Sequence, residues 1–234
     1  MNKIWKYHFI IFTLYFKVLF MEEQEHSLQE LQHIKKMMER SSRFISLSGL
    51  SGIAAGVCAL FGAWFANDVI IKSGGPTGEI RARLFFEDVT LSDFMGSKLL
   101  RIAVLTFIAA FISAFIFTYI KSKRNNIPLW GATAKRLLIN VAVPMLAGGF
   151  YLFREIQLGH FGLIAPGCLI FYGLALVNAS KYTLNELRYL GYGQLILAII
   201  NLKFVGYGFY FWAIGFGVLH IVYGAVMWLK YEKE

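Results

Sequence analysis

Apolar residues are gathered along this 234-residue chain into long runs that contain no charged residue. Six runs have this character, and they lie near residues 44–66, 102–120, 137–153, 161–179, 189–202 and 209–229. Because these runs are continuous rather than alternating, they predict helices and not the strands of a barrel. A helix of about 20 apolar residues crosses the hydrocarbon core of a bilayer. We therefore predict an all-α fold, a polytopic transmembrane helix bundle of about six spans over residues 44–229, in which the fifth run is the shortest.

Composition strengthens this prediction and narrows the class of partner. Hydrophobic residues make up 57% of the chain and charged residues 16%, whereas about a quarter of the residues in soluble domains are charged. The net charge is +9. Lys and Arg beside anionic lipid headgroups at a cytoplasmic surface are sufficient to explain a charge of this sign. The predicted partner is therefore the lipid bilayer, and no nucleic-acid partner is expected.

The distribution of basic residues predicts the orientation of the spans. If the first span runs from inside to outside, the inner loops, residues 21–43 and the tail at residues 230–234 together hold thirteen Lys and Arg residues, and the outer loops hold seven. Excess Lys and Arg mark the cytoplasmic side. Both termini are therefore predicted in the cytoplasm, with an outer loop at residues 67–98 and a cytoplasmic tail at residues 230–234.

Two segments precede the first span. Residues 1–20 begin with basic residues and an apolar stretch, but no small-residue cleavage site follows. We expect translation to begin at Met21, with residues 1–20 either a start-site artefact or an interfacial segment. In residues 21–43, Leu28, Leu31, Ile34 and Met38 recur at helical spacing. This segment is predicted to be an amphipathic cytoplasmic helix.

Candidate metal and catalytic residues are few. Four residues whose side chains can bind metal ions share one face of the predicted cytoplasmic helix: Glu23, His26, Glu30 and His33. A solvated helix face accounts for them better than a metal site. The sequence contains no HExxH or GxSxG motif and no nucleotide-binding loop. We expect no catalytic, cofactor-binding or metal-binding residues, and we interpret Cys58 and Cys168 as small buried residues.

Small residues are concentrated at the start of the first span, where the chain reads "SLSGLSGIAAG" from Ser46 to Gly56. Membrane helices associate through close van der Waals contact, which small residues permit. Two adjacent rows at four-residue spacing form this seam: Ser48, Gly52 and Gly56 in one, and Ser51, Ala55, Ala59 and Ala63 in the other. The seam is predicted to pack either against another span of the same chain, which we favour, or against a second copy.

Polar residues inside spans are candidate functional residues because they are costly in lipid. Four of them form a candidate polar cluster: Asn140, Asn178, Gln194 and His220. They either surround one inward-facing cavity or form ordinary hydrogen bonds between helices. Pro144 and Pro166 are expected to bend the third and fourth spans.

Three runs resemble a family of uncharacterised bacterial six-pass inner-membrane proteins with no assigned activity. The runs are "MMERSSRFISLSGLSGIAAG", "LIAPGCLIFYGLALVNASKYTLNELRYLG" and "FWAIGFGVLHIVYG". The resemblance extends over about Met21 to Tyr231. It implies a membrane location and a start at Met21, and it implies no activity.

Two classes of function fit these observations. The first is a non-enzymatic membrane component, such as a scaffold, sensor or regulator, that meets a protein partner or itself through the N-terminal helix or the first span. The alternative is a small transporter or channel that uses an inward-facing polar cluster. No Asp or Glu lies in the centre of any predicted span, which counts against ion-coupled pumping.

Overall fold

The computed structural model describes residues 48–72, 95–125 and 130–233. The predicted segments at 1–20 and 21–43, and most of the predicted outer loop at 67–98, lie outside the described residues. All of the regular structure within the described ranges is helical. This confirms the predicted fold class for the part of the chain that the structure describes.

Within the described ranges, the helices before the last span are α1 (Gly49–Lys72), α2 (Lys98–Arg124), α3 (Ala132–Gln157), α4 (Ile164–Ala179) and α5 (Leu187–Lys203). A 3-10 turn, Phe161–Leu163, leads into α4. The last span covers Val205–Tyr231. It has four parts, which are a 3-10 turn (Val205–Tyr207), α6 (Gly208–Trp212), a π-helical segment (Ala213–Val218) and α7 (Leu219–Tyr231).

Five of these elements are long and apolar enough to cross a membrane, namely α1, α2, α3, α4 with its leading turn, and the last span. The helix α5 has 17 residues and so measures about 25 Å at 1.5 Å per residue. It is therefore a little shorter than the hydrocarbon core of about 30 Å. The chain is a helical membrane protein, and α5 occupies the position of the weakest predicted span.

Local sequence explains where several helices begin and end. The Ser97 hydroxyl caps the start of α2 by accepting a hydrogen bond from the Leu100 amide at 3.1 Å. After α3, Gly159 adopts a φ of +78°, a conformation that glycine adopts readily. Pro144 lies inside α3. Pro166, however, lies in the first turn of α4, where a missing N–H removes no intrahelical bond, so our expectation of a mid-span bend there is wrong.

The helices pack in two groups joined by the last span. The helix α1 lies between α2 and the last span, and α4 lies between α3 and α5. The last span also contacts α4 through α6 and α5 through α7. This arrangement leaves α2 and α3 as flanking helices with large exposed faces.

Exposed and buried positions are inverted relative to a soluble domain. On the flanking helices, Leu105, Phe111, Leu146 and Phe150 each expose more than 60% of their surface. Polar side chains, in contrast, are buried in the interior, where Thr183, Gln194 and Asn201 are fully buried. An apolar exterior around a partly polar interior is the pattern expected of a bundle surrounded by lipid.

Glycine pairs allow the closest helix contacts. Between α4 and α5, an added Cβ at Gly173 would lie 3.0 Å from the Gly191 carbonyl oxygen, and one at Gly191 would lie 2.8 Å from the Gly173 oxygen. The backbones of α4 and α5 therefore meet directly, as small residues permit in membrane helices. Sequence analysis missed this second seam because the two glycines stand alone rather than in a row.

Candidate functional site

His220 is the buried ionisable residue of the last span, and it lies just after the π-helical segment. Its Nδ1 lies 3.0 Å from the Gly215 carbonyl oxygen, five residues earlier. The Gln194 side-chain amide on α5 donates to the same oxygen at 2.7 Å. A wide π turn exposes backbone carbonyls in this way, and π segments are frequent at functional sites. The Gly215 carbonyl thus joins the last span to α5.

The hydrogen bonds of His220 define its tautomer. A carbonyl oxygen can only accept, so Nδ1 carries the proton in the bond to Gly215. In the neutral imidazole, Nε2 is then an acceptor, and the Tyr172 hydroxyl lies 2.7 Å from it. Tyr172 on α4 therefore donates to His220. Both ring nitrogens of His220 therefore form hydrogen bonds within the protein, and the bond from Tyr172 connects α4 to the last span.

Aromatic rings surround this imidazole. The Phe216 and His220 rings stack with centroids 6.0 Å apart, and the Tyr172 ring stacks on His220 at 5.5 Å. Ring contacts of this kind stabilise a fixed orientation of the imidazole and exclude water from it. We call Tyr172, Gln194, Gly215 and His220 the histidine group.

Two buried amides are only half satisfied. Gln194 Oε1 and Asn201 Oδ1 have no hydrogen-bond partner within the described part of the chain, although both side chains are fully buried. The amide nitrogen of Asn201 donates to the Phe204 carbonyl oxygen at 3.0 Å. Asn201 therefore closes the end of α5, whereas Gln194 keeps one acceptor free inside the histidine group.

The remaining two members of the candidate polar cluster lie elsewhere. The Asn178 amide on α4 donates to the Asn140 backbone oxygen at 2.9 Å and to its Oδ1 at 3.2 Å. The Asn140 amide donates in turn to the Arg136 carbonyl oxygen at 2.8 Å. We call Asn140 and Asn178 the asparagine pair. The four predicted residues are thus divided between an α3–α4 contact and the histidine group.

The predicted seam on α1 faces the last span of the same chain. An added Cβ at Gly52 would lie 3.2 Å from the Gly224 Cα, and one at Gly56 would lie 2.7 Å from the Gly217 carbonyl oxygen. Ser48 and Ala59 are buried and Ala55 is half-buried. The structure therefore places the first row of small residues inside the bundle.

Glu232 connects three span ends. Its carboxylate accepts hydrogen bonds from the Gly49 amide at 2.6 Å and the Ser48 hydroxyl at 3.1 Å, and it forms an ion pair with Lys121 at 2.9 Å. Burial alone would raise the pKa of Glu232, but these hydrogen bonds and the Lys121 charge outweigh it and hold that pKa below its ordinary value. We call Ser48, Gly49, Lys121 and Glu232 the carboxylate latch.

Glu186 makes a second contact of this kind in the connection between α4 and α5. It pairs with the Lys230 ammonium and accepts a hydrogen bond from the Tyr231 hydroxyl at 2.8 Å. Burial acts to raise the pKa of Glu186, yet the bonds from Lys230 and Tyr231 keep that pKa below its ordinary value. Sequence analysis missed both carboxylates, because it assigned no role to acids beyond the span ends.

Metal-binding chemistry is not found in the described ranges, which contain no group of three or more His, Cys, Asp or Glu residues able to hold an ion. The predicted ligand-like face at Glu23, His26, Glu30 and His33 lies outside them. Cys58 and Cys168 are free thiols. The Cys58 sulfur lies 3.8 Å from the Ser113 hydroxyl oxygen, at the contact between α1 and α2.

Comparison with protein-family models, with curated proteins and with solved structures finds no match for this chain.

Proposed function

We propose that this chain is a non-enzymatic integral protein of the bacterial inner membrane that acts as a scaffold, sensor or regulatory component. The membrane character follows from the helices, and the resemblance of three sequence runs to a bacterial six-pass family supports the location. The carboxylate latch is the observation that carries the regulatory role, because it joins the start of the first span to the end of the last.

The latch places both ends of the helical region at one end of the bundle. Gly49 begins α1, and Glu232 follows the last residue of α7. An even number of crossings, and hence a spanning α5, accounts for this proximity. The basic residues in the described loops and ends at this side are Lys121, Lys123, Arg124, Lys135, Arg136, Lys181, Arg188, Lys230 and Lys233. Their excess over the basic residues at the opposite side of the bundle supports a cytoplasmic location for both termini.

The use of the polar groups supports a non-enzymatic role. His220 engages both ring nitrogens with Tyr172 and Gly215, and the asparagine pair is bonded to itself and to backbone. Groups used in this way hold helices together, at about 0.6 kcal/mol each in membrane proteins. A nucleophile or general base, in contrast, has to face a substrate.

The latch also offers a route from the cytoplasm into the bundle. The predicted amphipathic helix at residues 21–43 ends a few residues before α1 begins at Gly49. A partner that binds this helix would pull on the first turn of α1, which is bonded to Glu232, and Glu232 pairs in turn with Lys121 of α2. Binding on the cytoplasmic side would thereby be coupled to the positions of three spans.

Co-purification tests this proposal. The full chain is isolated in mild detergent from its native membrane beside a variant that lacks residues 22–43, and the proteins retained by each are identified by mass spectrometry. We expect a defined partner with the full chain, its loss with the deletion, and an unchanged unfolding temperature of the bundle. A variant lacking residues 2–20 is the control and should keep the partner. Equal retention by all three chains would refute a role for the helix.

The histidine group favours a second candidate, a small transporter or channel. A π segment beside a buried amide that keeps a free acceptor, Gln194 Oε1, is the kind of site at which a polar solute or ion displaces existing bonds. Under this alternative, His220→Leu would abolish flux in reconstituted vesicles. Asn178→Leu, in the separate asparagine pair, would leave that flux intact.

A further inference from the structure

A cavity of about 390 Å³ lies at the end of the bundle remote from Glu232. Five parts of the chain form its walls, represented by Ala66 on α1, Ala103 on α2, Leu152 on α3, Cys168 on α4 and Trp212 in the last span. Its volume falls within the range of about 300–1,000 Å³ that is typical of sites for small molecules and cofactors.

The walls of this cavity are apolar. Glycine and aliphatic or aromatic side chains form most of them, and only Thr106, Cys168 and Trp212 among the lining side chains carry a hydroxyl, thiol or ring N–H. An ordered water needs two to four polar partners, and cavities without them stay dry and take up apolar molecules. An unfilled space of this size would also forfeit dispersion contacts on all sides. The walls therefore fit a hydrocarbon ligand.

Helix packing indicates how such a ligand enters. Among the described elements, α2 packs chiefly on α1 and α3 packs chiefly on α4. Leu100 of α2 and Leu152 of α3 both line the cavity, although α2 and α3 make no extensive contact with each other in the described ranges. Both helices also expose large apolar faces. The gap between α2 and α3 therefore opens sideways, toward the acyl chains of the bilayer.

We propose that this cavity binds one acyl chain of a membrane phospholipid, which enters between α2 and α3 from the leaflet opposite the chain ends. Acyl chains are the abundant apolar molecules at this depth, and the cavity matches them in chemistry and access. This site is separate from the histidine group and the carboxylate latch, so it does not depend on the function proposed above.

Photolabelling tests the proposal on the full chain. The protein is reconstituted into phosphatidylcholine vesicles that contain a trace of phosphatidylcholine with a diazirine midway along one acyl chain. After irradiation, labelled peptides are identified by mass spectrometry. We expect adducts on the α4 wall at Ala165 and Cys168. The fully buried Gln194 and Ala198 of α5 give the background level.

Matched variants connect the adducts to the cavity. Ala103→Phe places a ring in the cavity and should reduce the α4 adducts to the background level, while labelling of the exposed Leu105 on α2 stays unchanged. Ala147→Phe makes the same substitution at an exposed position of α3 outside the cavity wall, and it should change neither signal. Ala66→Phe, on the α1 wall, replaces Ala103→Phe if that variant fails to fold.

The two cysteines provide an independent measurement. In a Cys58→Ala variant in detergent, added phosphatidylcholine should slow alkylation of Cys168 by N-ethylmaleimide. In a Cys168→Ala variant, the same lipid should leave the rate at Cys58 unchanged, since Cys58 lies outside the cavity wall.

Four results would overturn the proposal. The first is α4 labelling at background in the wild type. The second is α4 labelling that both folded plugging variants leave unchanged, and the third is equal lipid protection of the two thiols. If deletion of residues 76–91 were needed for α4 labelling, the cavity would belong to the chain's own outer loop, which also refutes a lipid site.

Discussion

The Glu232 carboxylate accepts a hydrogen bond from the Gly49 backbone amide at 2.6 Å, across 183 positions of sequence. Gly49 is the first residue of α1, where backbone N–H groups have no partner within the helix. A negative charge is favoured at this end of a helix dipole. Lys121, in the last turn of α2, adds the opposite charge at 2.9 Å. The Glu232 side chain thus caps the first turn of α1.

Removal of this charge should weaken the bundle. Glu232→Gln keeps an acceptor for Gly49 but loses the ion pair with Lys121, and we expect the free energy of unfolding to fall by about 1–2 kcal/mol. Equilibrium unfolding in mixed micelles measures it. Glu155→Gln is the comparison, because the Glu155 side chain is as little exposed as that of Glu232 (13% against 14%) but pairs with the exposed His160 instead of a lysine. A smaller loss of stability is expected there. Equal effects at the two sites would contradict the role of the latch.

Acid should have the same effect as this substitution. The pKa of Glu232 is held below its ordinary value of 4.5 in the folded chain. A depressed pKa stabilises the fold above the unfolded-state pKa, and this contribution disappears as pH falls through the folded-state pKa. We expect the unfolding temperature to decline below pH 4.5, and Glu232→Gln to show a smaller decline. Unfolding temperatures recorded between pH 7 and pH 3 for both chains measure this. Parallel curves would show that Glu232 is not the titrating group, while the Glu186 pair contributes equally to both.

The number and placement of the helices could be predicted from sequence because continuous apolar runs have one physical solution in lipid. The rotation of each helix about its own axis could not be predicted from sequence. Asn178 and Gln194 were expected at similar depth, but Asn178 faces Asn140 on α3 whereas Gln194 faces Gly215.

The π-helical segment also escaped prediction. The residues of Ala213–Val218 are compatible with an ordinary α-helix. We attribute the extra residue in the turn to tertiary contacts rather than to this local sequence. Gln194 and His220 both donate to the Gly215 carbonyl oxygen, and such bonds to backbone acceptors are one way in which a membrane helix departs from regular geometry. The glycine row on α1, in contrast, was visible because its physical role requires a fixed spacing.

One glycine of that row and one glycine of α3 provide a matched pair of substitutions. At Gly56, an added Cβ would lie 2.7 Å from the Gly217 carbonyl oxygen, whereas at Gly149 nothing lies within 4 Å. We expect Gly56→Ala to destabilise the bundle by about 1–3 kcal/mol through overpacking against backbone. Gly149→Ala should leave stability unchanged or raise it by up to about 1 kcal/mol. Unfolding in mixed micelles measures both, and similar costs would show that α1 and the last span do not pack as described.

The bond between Tyr172 and His220 should appear as coupling in a double-mutant cycle. Tyr172→Phe leaves His220 Nε2 without its donor at 2.7 Å, at an expected cost of about 1–3 kcal/mol. After His220→Leu, the acceptor is gone, and Tyr172→Phe should cost less by about 1 kcal/mol or more. Tyr189→Phe, at a position that is 67% exposed, should change stability by no more than about 0.5 kcal/mol. Additive costs for Tyr172 and His220 would mean that the hydroxyl and the imidazole stabilise the bundle separately, and the histidine group would then not act as one unit.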